Sequence, residues 1–257
     1  MCELFAVTGR RKILLNDYLR QFFAHGDRHP DGWGIASFQG AFPSIEKEPE
    51  RAVTSRYLKN KLRMKIEESI LLAHIRRATV GALVYENCHP FVKRDATGRA
   101  WTLIHNGTIF NAPSLNKYVA RQSGTTDSER VLLYFVDQID CACEALGSEL
   151  NFEERFDALE RAVITLAKSN KLNLVFYDGE YLYVHSNYAN SLYCFEEQDA
   201  VVFATAPFGN APWRRAPFTT LCAYRNGTLV KKGIEHGMIF VDKPEETRYL
   251  FMDFAGL

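Results

Sequence analysis

Short apolar runs broken by glycine and proline fill the first hundred residues, two stretches of helical spacing follow, and alternating segments close the chain. Residues 2–8 alternate weakly and predict a strand ending at Gly9, while residues 16–25 fit a short helix capped by Asn16. A turn-rich segment, 25–34, gives way to a strand over 35–38. Residues 46–68 mix acids and bases and read as a solvated helical face. Strands are predicted at 69–74 and 100–104. The longest helical pattern opens at residue 124, with Thr126 or Asp127 as its cap and Val131, Leu132, Phe135, Val136 and Ile139 on one face. A second helix spans 152–168 with Phe156, Leu159, Val163 and Leu166 aligned. Beyond it, strands are predicted at 172–177, 181–185, 192–195, 200–204, 218–224 and 228–232, with Asp178-Gly179 and Asn226-Gly227 as hairpin turns. This half should be antiparallel sheet packed against the first half, in one domain over 1–257.

Composition narrows the function classes. The chain has 257 residues, 47% of them apolar, enough for a sizeable core. Its 31 basic and 31 acidic residues cancel, so no general pull toward nucleic acid or membrane is expected, and a small, locally charged substrate fits better. With no run of 18 apolar residues and no signal-like start, the chain reads as soluble and cytoplasmic. The six cysteines are scattered and form no CxxC pair, which points to reduced thiols.

Several stretches carry candidate chemistry. Cys2 stands directly behind the initiator methionine at the head of an apolar run. Removing Met1 would leave one residue holding both a soft nucleophile and an α-amine of near-neutral pKa; the alternative is a small apolar residue opening a buried strand. Arg76 and Arg77 end an apolar strand, where an arginine either grips a carboxylate through its planar fork or makes a surface ion pair. Asn106-Gly107 reads as a tight hairpin turn or as an oxyanion hole built from a side-chain amide and an unobstructed backbone N–H. Asp127 either caps its helix or faces a cleft and receives an ammonium. His25 and His29 lack further ligands at metal-like spacing and suit a structural or loop role.

In this order the stretches resemble the class II glutamine amidotransferases, a branch of the N-terminal-nucleophile hydrolases. The resemblance rests on Cys2 with its strand, Asp31-Gly32-Trp33-Gly34, His74-Ile75-Arg76-Arg77-Ala78-Thr79, Asn87-Cys88-His89-Pro90, His105-Asn106-Gly107 and Thr126-Asp127-Ser128-Glu129. It implies a four-layer α+β sandwich, two antiparallel sheets face to face with helices outside. It also implies Cys2, Asn106 and Gly107 as the catalytic set, and Arg76, Thr79, His89 and Asp127 as the substrate-binding set. No metal or organic cofactor is required. Arg77 and Val80 depart from synthetase-linked members and are similar to a stand-alone bacterial branch, which includes enzymes that cleave γ-glutamyl compounds. The expected activity is release of ammonia or an amine from glutamine or a γ-glutamyl amide through a thioester. An ammonia acceptor, if used, would be a partner protein. The alternative is a non-catalytic glutamine-binding subunit.

Overall fold

The computed structural model describes residues 2–40, 42–78, 81–197 and 199–242. Thirteen strands among them form two sheets. The first holds β1 (Glu3–Leu14), β2 (Trp33–Ser37), β3 (Ser44–Glu48), β4 (Glu67–Ile75), β9 (Tyr193–Glu197), β10 (Ala200–Ala204) and β11 (Arg214–Arg215), in the order β11-β9-β10-β1-β4-β2-β3. The second holds β5 (Phe91–Arg94), β6 (Ala100–Thr108), β7 (Lys171–Tyr177), β8 (Leu182–Ser186), β12 (Cys222–Arg225) and β13 (Thr228–Lys232), in the order β13-β12-β8-β7-β6-β5. Every pairing within them is antiparallel. The helices are α1 (Asn16–Ala24), α2 (Arg56–Lys61), α3 (Asp127–Leu146) and α4 (Phe152–Ala167).

Side-chain alternation sets the layers, because successive strand residues point to opposite faces. In β1, Phe5 and Val7 pack with Leu19 and Phe22 of α1 and Leu58 of α2, whereas Leu4 and Ala6 pack with Ile104, Val175 and Val184 of the second sheet. On that sheet's far face, Leu103, Leu174 and Phe176 meet Phe135 of α3 and Phe156 of α4. The result is helices, sheet, sheet, helices: the α+β sandwich. An apolar seam joins the two sheets, and the site lies toward one end of it.

Local departures from the expected elements have identifiable causes. β1 runs on past Gly9 to Leu14, because after a register shift Ile13 and Leu14 pair with Glu68 and Glu67 of a longer β4. Asn16 does not cap α1. Its Nδ2 donates to the carbonyls of Leu62 and Met64 at 3.0 and 2.6 Å, and its Oδ1 accepts from Ile66 N–H at 2.9 Å. Backbone groups of the 62–66 turn need partners, and this side chain supplies them. The charged 46–68 stretch is not one helical face, since it contains the end of β3, the short α2 and the start of β4. Residues 218–221 lie outside the sheet, with β12 beginning at Cys222. The 207–217 stretch supplies β11 and packs Phe208, Ala211 and Trp213 on the α1 side.

The segment 236–242 folds back over the second sheet. His236 N–H donates to Thr219 O at 2.9 Å and Phe240 N–H to Asn187 O at 2.8 Å, and the Phe240 ring stacks on Phe110 at 5.4 Å.

Candidate active site

Alternation brings the candidate residues to the seam. Even-numbered residues of β1, β4 and β6 face inward, and Cys2, His74, Arg76 and Asn106 continue these series as the strands pass toward one end of the sandwich. Glu3 pairs with Ile75, so Cys2 lies beside the chain leaving β4. Its thiol donates to Arg77 O at 3.4 Å and receives Arg77 N–H at 3.3 Å. Burial pushes the Cys2 thiol above its ordinary pKa, opposed by the Arg77 backbone and by the charge of Arg76, and reinforced by the charge of Asp127. Charges of opposite sign from two separate elements therefore reach the same sulfur.

Arg76 is held from several sides. Its guanidinium donates to the carbonyls of Gly81 at 3.0 Å, Ala82 at 3.2 Å and Asp31 at 3.5 Å. Its backbone N–H reaches Gly32 O at 2.7 Å, and its carbonyl accepts from Asp31 N–H at 3.0 Å. The Asp31 carboxylate accepts from Ala78 N–H at 2.7 Å, tying the Asp31-Gly32 turn to the segment after β4.

Asp127 occupies the first turn of α3, where the helix dipole favours a negative charge. One carboxylate oxygen accepts from Ile109 N–H at 2.8 Å, which anchors it to the chain leaving β6. The cap is Thr126, whose hydroxyl accepts from Glu129 N–H at 3.3 Å.

Asn106 and Gly107 make no turn, contrary to the hairpin expectation. Both lie inside β6, paired with Asn173 and Leu172 of β7. Gly107 is required by close approach: a Cβ there would stand 1.9 Å from Lys171 O. Asn106 is buried, and its Oδ1 has no hydrogen-bond partner among the described residues. The neighbouring His105 points outward, with Nδ1 against Ser128 Oγ at 2.9 Å. Its carbonyl faces His74 Nε2 at 3.1 Å, which joins β4 to β6 across the seam.

The 87–90 loop braces these parts. The Asn87 side chain accepts from Thr125 N–H at 2.7 Å and donates to Thr125 Oγ1 at 3.0 Å and Ala82 O at 2.9 Å. It thereby links the loop that holds Arg76 to the approach to Asp127. Gly34 lets this loop rest on β2, since a Cβ there would lie 2.0 Å from His89 O. His89 is buried between the rings of His74 at 4.0 Å and Phe91 at 4.5 Å, and neither ring nitrogen has a partner among the described residues. Burial holds His89 neutral, with its pKa well below the usual value, and holds His74 at about 3. His25 and His29 turn to Glu3, at 2.7 and 3.7 Å. Thr79 lies outside the described residues, as does Met1.

Sequence reading assigned no role to Asp31, Asn87 or Ser128. All three stood inside the quoted stretches, but their part depends on main-chain partners that spacing does not reveal.

Two antiparallel sheets face to face with helices outside are the architecture of the N-terminal-nucleophile hydrolase fold, and the half-buried Cys2 thiol lies at one end of the seam. Residues 1–198 match the family model of the class-II glutamine amidotransferases, and the chain belongs to that family. Its relatives include an uncharacterized protein of Methanocaldococcus jannaschii, 28% identical over 90% of this chain and 71% of that protein. A Haemophilus influenzae protein provisionally named a glutamine amidotransferase is 31% identical over 72% of this chain and 58% of its own length. The Mycobacterium tuberculosis gamma-glutamyl-hercynylcysteine sulfoxide hydrolase is 23% identical over 75% of this chain and 74% of that enzyme. The fold is shared with the glutamine phosphoribosylpyrophosphate amidotransferase of Bacillus subtilis, at a TM-score of 0.64 and 18% identity. That likeness covers 90% of this chain and 48% of that one.

Proposed function

We propose that the protein hydrolyses the side-chain amide of glutamine or of a γ-glutamyl compound, with Cys2 as nucleophile. The observation that carries this reading is the Cys2 thiol in the fields of both Arg76 and Asp127, at the head of the β1 strand that packs across the seam from β6, the strand that holds Asn106 and Gly107. An amino-acid head group carries one carboxylate and one ammonium. Arg76 and Asp127 are the matching pair, and clamping that end leaves the γ-carbonyl free to meet the sulfur.

The thiol is pushed up by burial, so it rests protonated and needs a base. Removal of Met1 would provide one in the α-amine of Cys2 itself. That amine takes the thiol proton as sulfur bonds to the γ-carbon, and the Asn106 amide and Gly107 N–H meet the developing oxyanion. The same proton passes to the departing nitrogen as the C–N bond breaks, leaving a thioester. Water then attacks the thioester, giving the free γ-carboxylate and restoring the thiol. His89 and Thr79 belong to the expected substrate-binding set. Buried between two rings, His89 supports the loop beneath the substrate. The stand-alone resemblance and the Mycobacterium relative favour γ-glutamyl amides alongside free glutamine. Ammonia, where formed, would pass to water or to a partner protein.

The test treats the purified protein with a diazoketone analogue of glutamine and measures intact mass, then assays ammonia or amine release across glutamine and γ-glutamyl amides. We expect a mass lacking Met1, one adduct on Cys2 and turnover on at least one substrate. Turnover by protein that retains Met1 would refute the base assignment; absence of both adduct and turnover would refute the hydrolase reading.

A further inference from the structure

We propose that Asn173 is a positioning residue for Asn106, an inference that rests on the hydrolase reading above. An oxyanion donor built from an asparagine has a built-in ambiguity. The carboxamide is planar, with an acceptor on one corner and donors on the other, and only one of its two orientations offers N–H to a negative oxygen. Whatever holds Asn106 Oδ1 therefore decides whether Asn106 can serve.

Asn173 is the residue directly opposite Asn106 in the β6–β7 pair. Directly opposed residues share a face with Cβ atoms about 4.5–5.5 Å apart, within reach of one side-chain hydrogen bond. Both are buried, and each has one unpartnered polar atom among the described residues: an acceptor, Oδ1, on Asn106 and a donor, Nδ2, on Asn173. Buried orphans of opposite kind on adjacent residues are costly apart and complementary together.

The orientation of Asn173 is itself fixed. The Ser186 hydroxyl of β8 donates to Asn173 Oδ1 at 2.7 Å, and Ser191 Oγ lies 3.1 Å from the same oxygen. With Oδ1 engaged by Ser186, the amide N–H groups of Asn173 are what remains to face Asn106. A bond from Asn173 Nδ2 to Asn106 Oδ1 would satisfy both atoms and leave Asn106 Nδ2 to face the substrate carbonyl. With that bond made, Ser186, Asn173 and Asn106 form a chain of aligned dipoles across β8, β7 and β6, ending at the oxyanion.

The test is a set of kinetic comparisons on folded variants, with thermal midpoints recorded for each. Asn173→Leu removes the donor, and Asn173→Asp replaces it with an acceptor. Both should lower kcat about 10- to 100-fold, with KM held within about threefold, since only the transition state develops the oxyanion. Ser186→Ala leaves Asn173 in place but frees its amide to turn, and should lower kcat about 2- to 10-fold. Combined with Asn106→Ala, neither Asn173→Asp nor Ser186→Ala should lower kcat further by more than about twofold, because the group they orient is gone. If Asn106→Ala leaves turnover intact, the hydrolase reading fails. If Asn106→Ala is impaired while folded Asn173 and Ser186 variants keep wild-type kcat, or their losses multiply with it, only the present inference fails. Should the Asn173 variants not fold, the Ser186→Ala cycle decides alone.

Discussion

Acidification should destabilise this protein steeply through histidines that the fold keeps neutral. Burial holds both His74 and His185 at about 3, against an ordinary 6.5. Because the native pKa is depressed, the unfolded chain binds more protons below 6.5, so stability is complete above that pH and falls as pH drops toward 3. Between pH 7 and pH 5 each group contributes about 2 kcal/mol of loss, from the logarithmic binding term at roughly 1.4 kcal/mol per pH unit. The pair accounts for about 4 kcal/mol, a large share of the roughly 5–15 kcal/mol that holds a typical domain together. His89 and His105 are shifted the same way and add to the effect. The assay is urea unfolding at pH 7, 6 and 5, for the wild-type protein and for His185→Leu. His185 is the better probe, since it lies against His236 at 3.0 Å and away from the proposed catalytic group. The variant should show a difference between pH 7 and pH 5 smaller than wild type by about 2 kcal/mol. A flat wild-type profile, or an unchanged difference in His185→Leu, would refute the reasoning.

Other expectations concern the site and its supports. Asn106→Ala should lower kcat on the order of 10²- to 10³-fold with little change in KM, measured by amine release. Asp127→Asn keeps an acceptor for Ile109 N–H but loses the charge, so KM for the preferred substrate should rise about 10- to 100-fold with folding intact. Asn87→Leu removes a buried side chain that bonds Thr125 N–H and Ala82 O and unties the loops behind Arg76 and Asp127; it should cost about 1–3 kcal/mol and raise KM, seen in denaturant melts and kinetics together. Asp178→Ala takes from Arg155 its fully buried partner at 3.1 Å, leaving only the half-buried Glu180, and removes the acceptor of Tyr181 N–H and Tyr183 O–H; it should cost about 3–5 kcal/mol, with kcat of the folded fraction unchanged.

Much of this architecture was legible because its signals are local. Val131, Leu132, Phe135 and Phe156 lie on the buried faces of α3 and α4 as their spacing predicts, and the strands of the second half fall close to their expected places. The misreadings share a cause, namely partners distant in sequence. Asn16 looked like a helix cap, yet the carbonyls that claim it are almost fifty residues away. Asn106-Gly107 carries the composition of a turn, but β7 lies alongside to extend the strand, and its Lys171 carbonyl is what excludes a side chain at Gly107. The order of the stretches pointed to Arg76 and Asp127, whose charges both reach Cys2, whereas the braces at Asp31 and Asn87 depend on backbone contacts that no residue pattern displays.

The position of β1 bears on how the chain reaches this state. One neighbour, β4, follows soon after it, but Phe5 is also paired with Ala204 of β10. During synthesis β1 must therefore wait, half-paired, until β10 has left the ribosome. Closing so long a loop is slow. A chaperone or ribosome-bound factor that shields that exposed edge would find its longest opportunity here, at a strand that emerges long before its second neighbour.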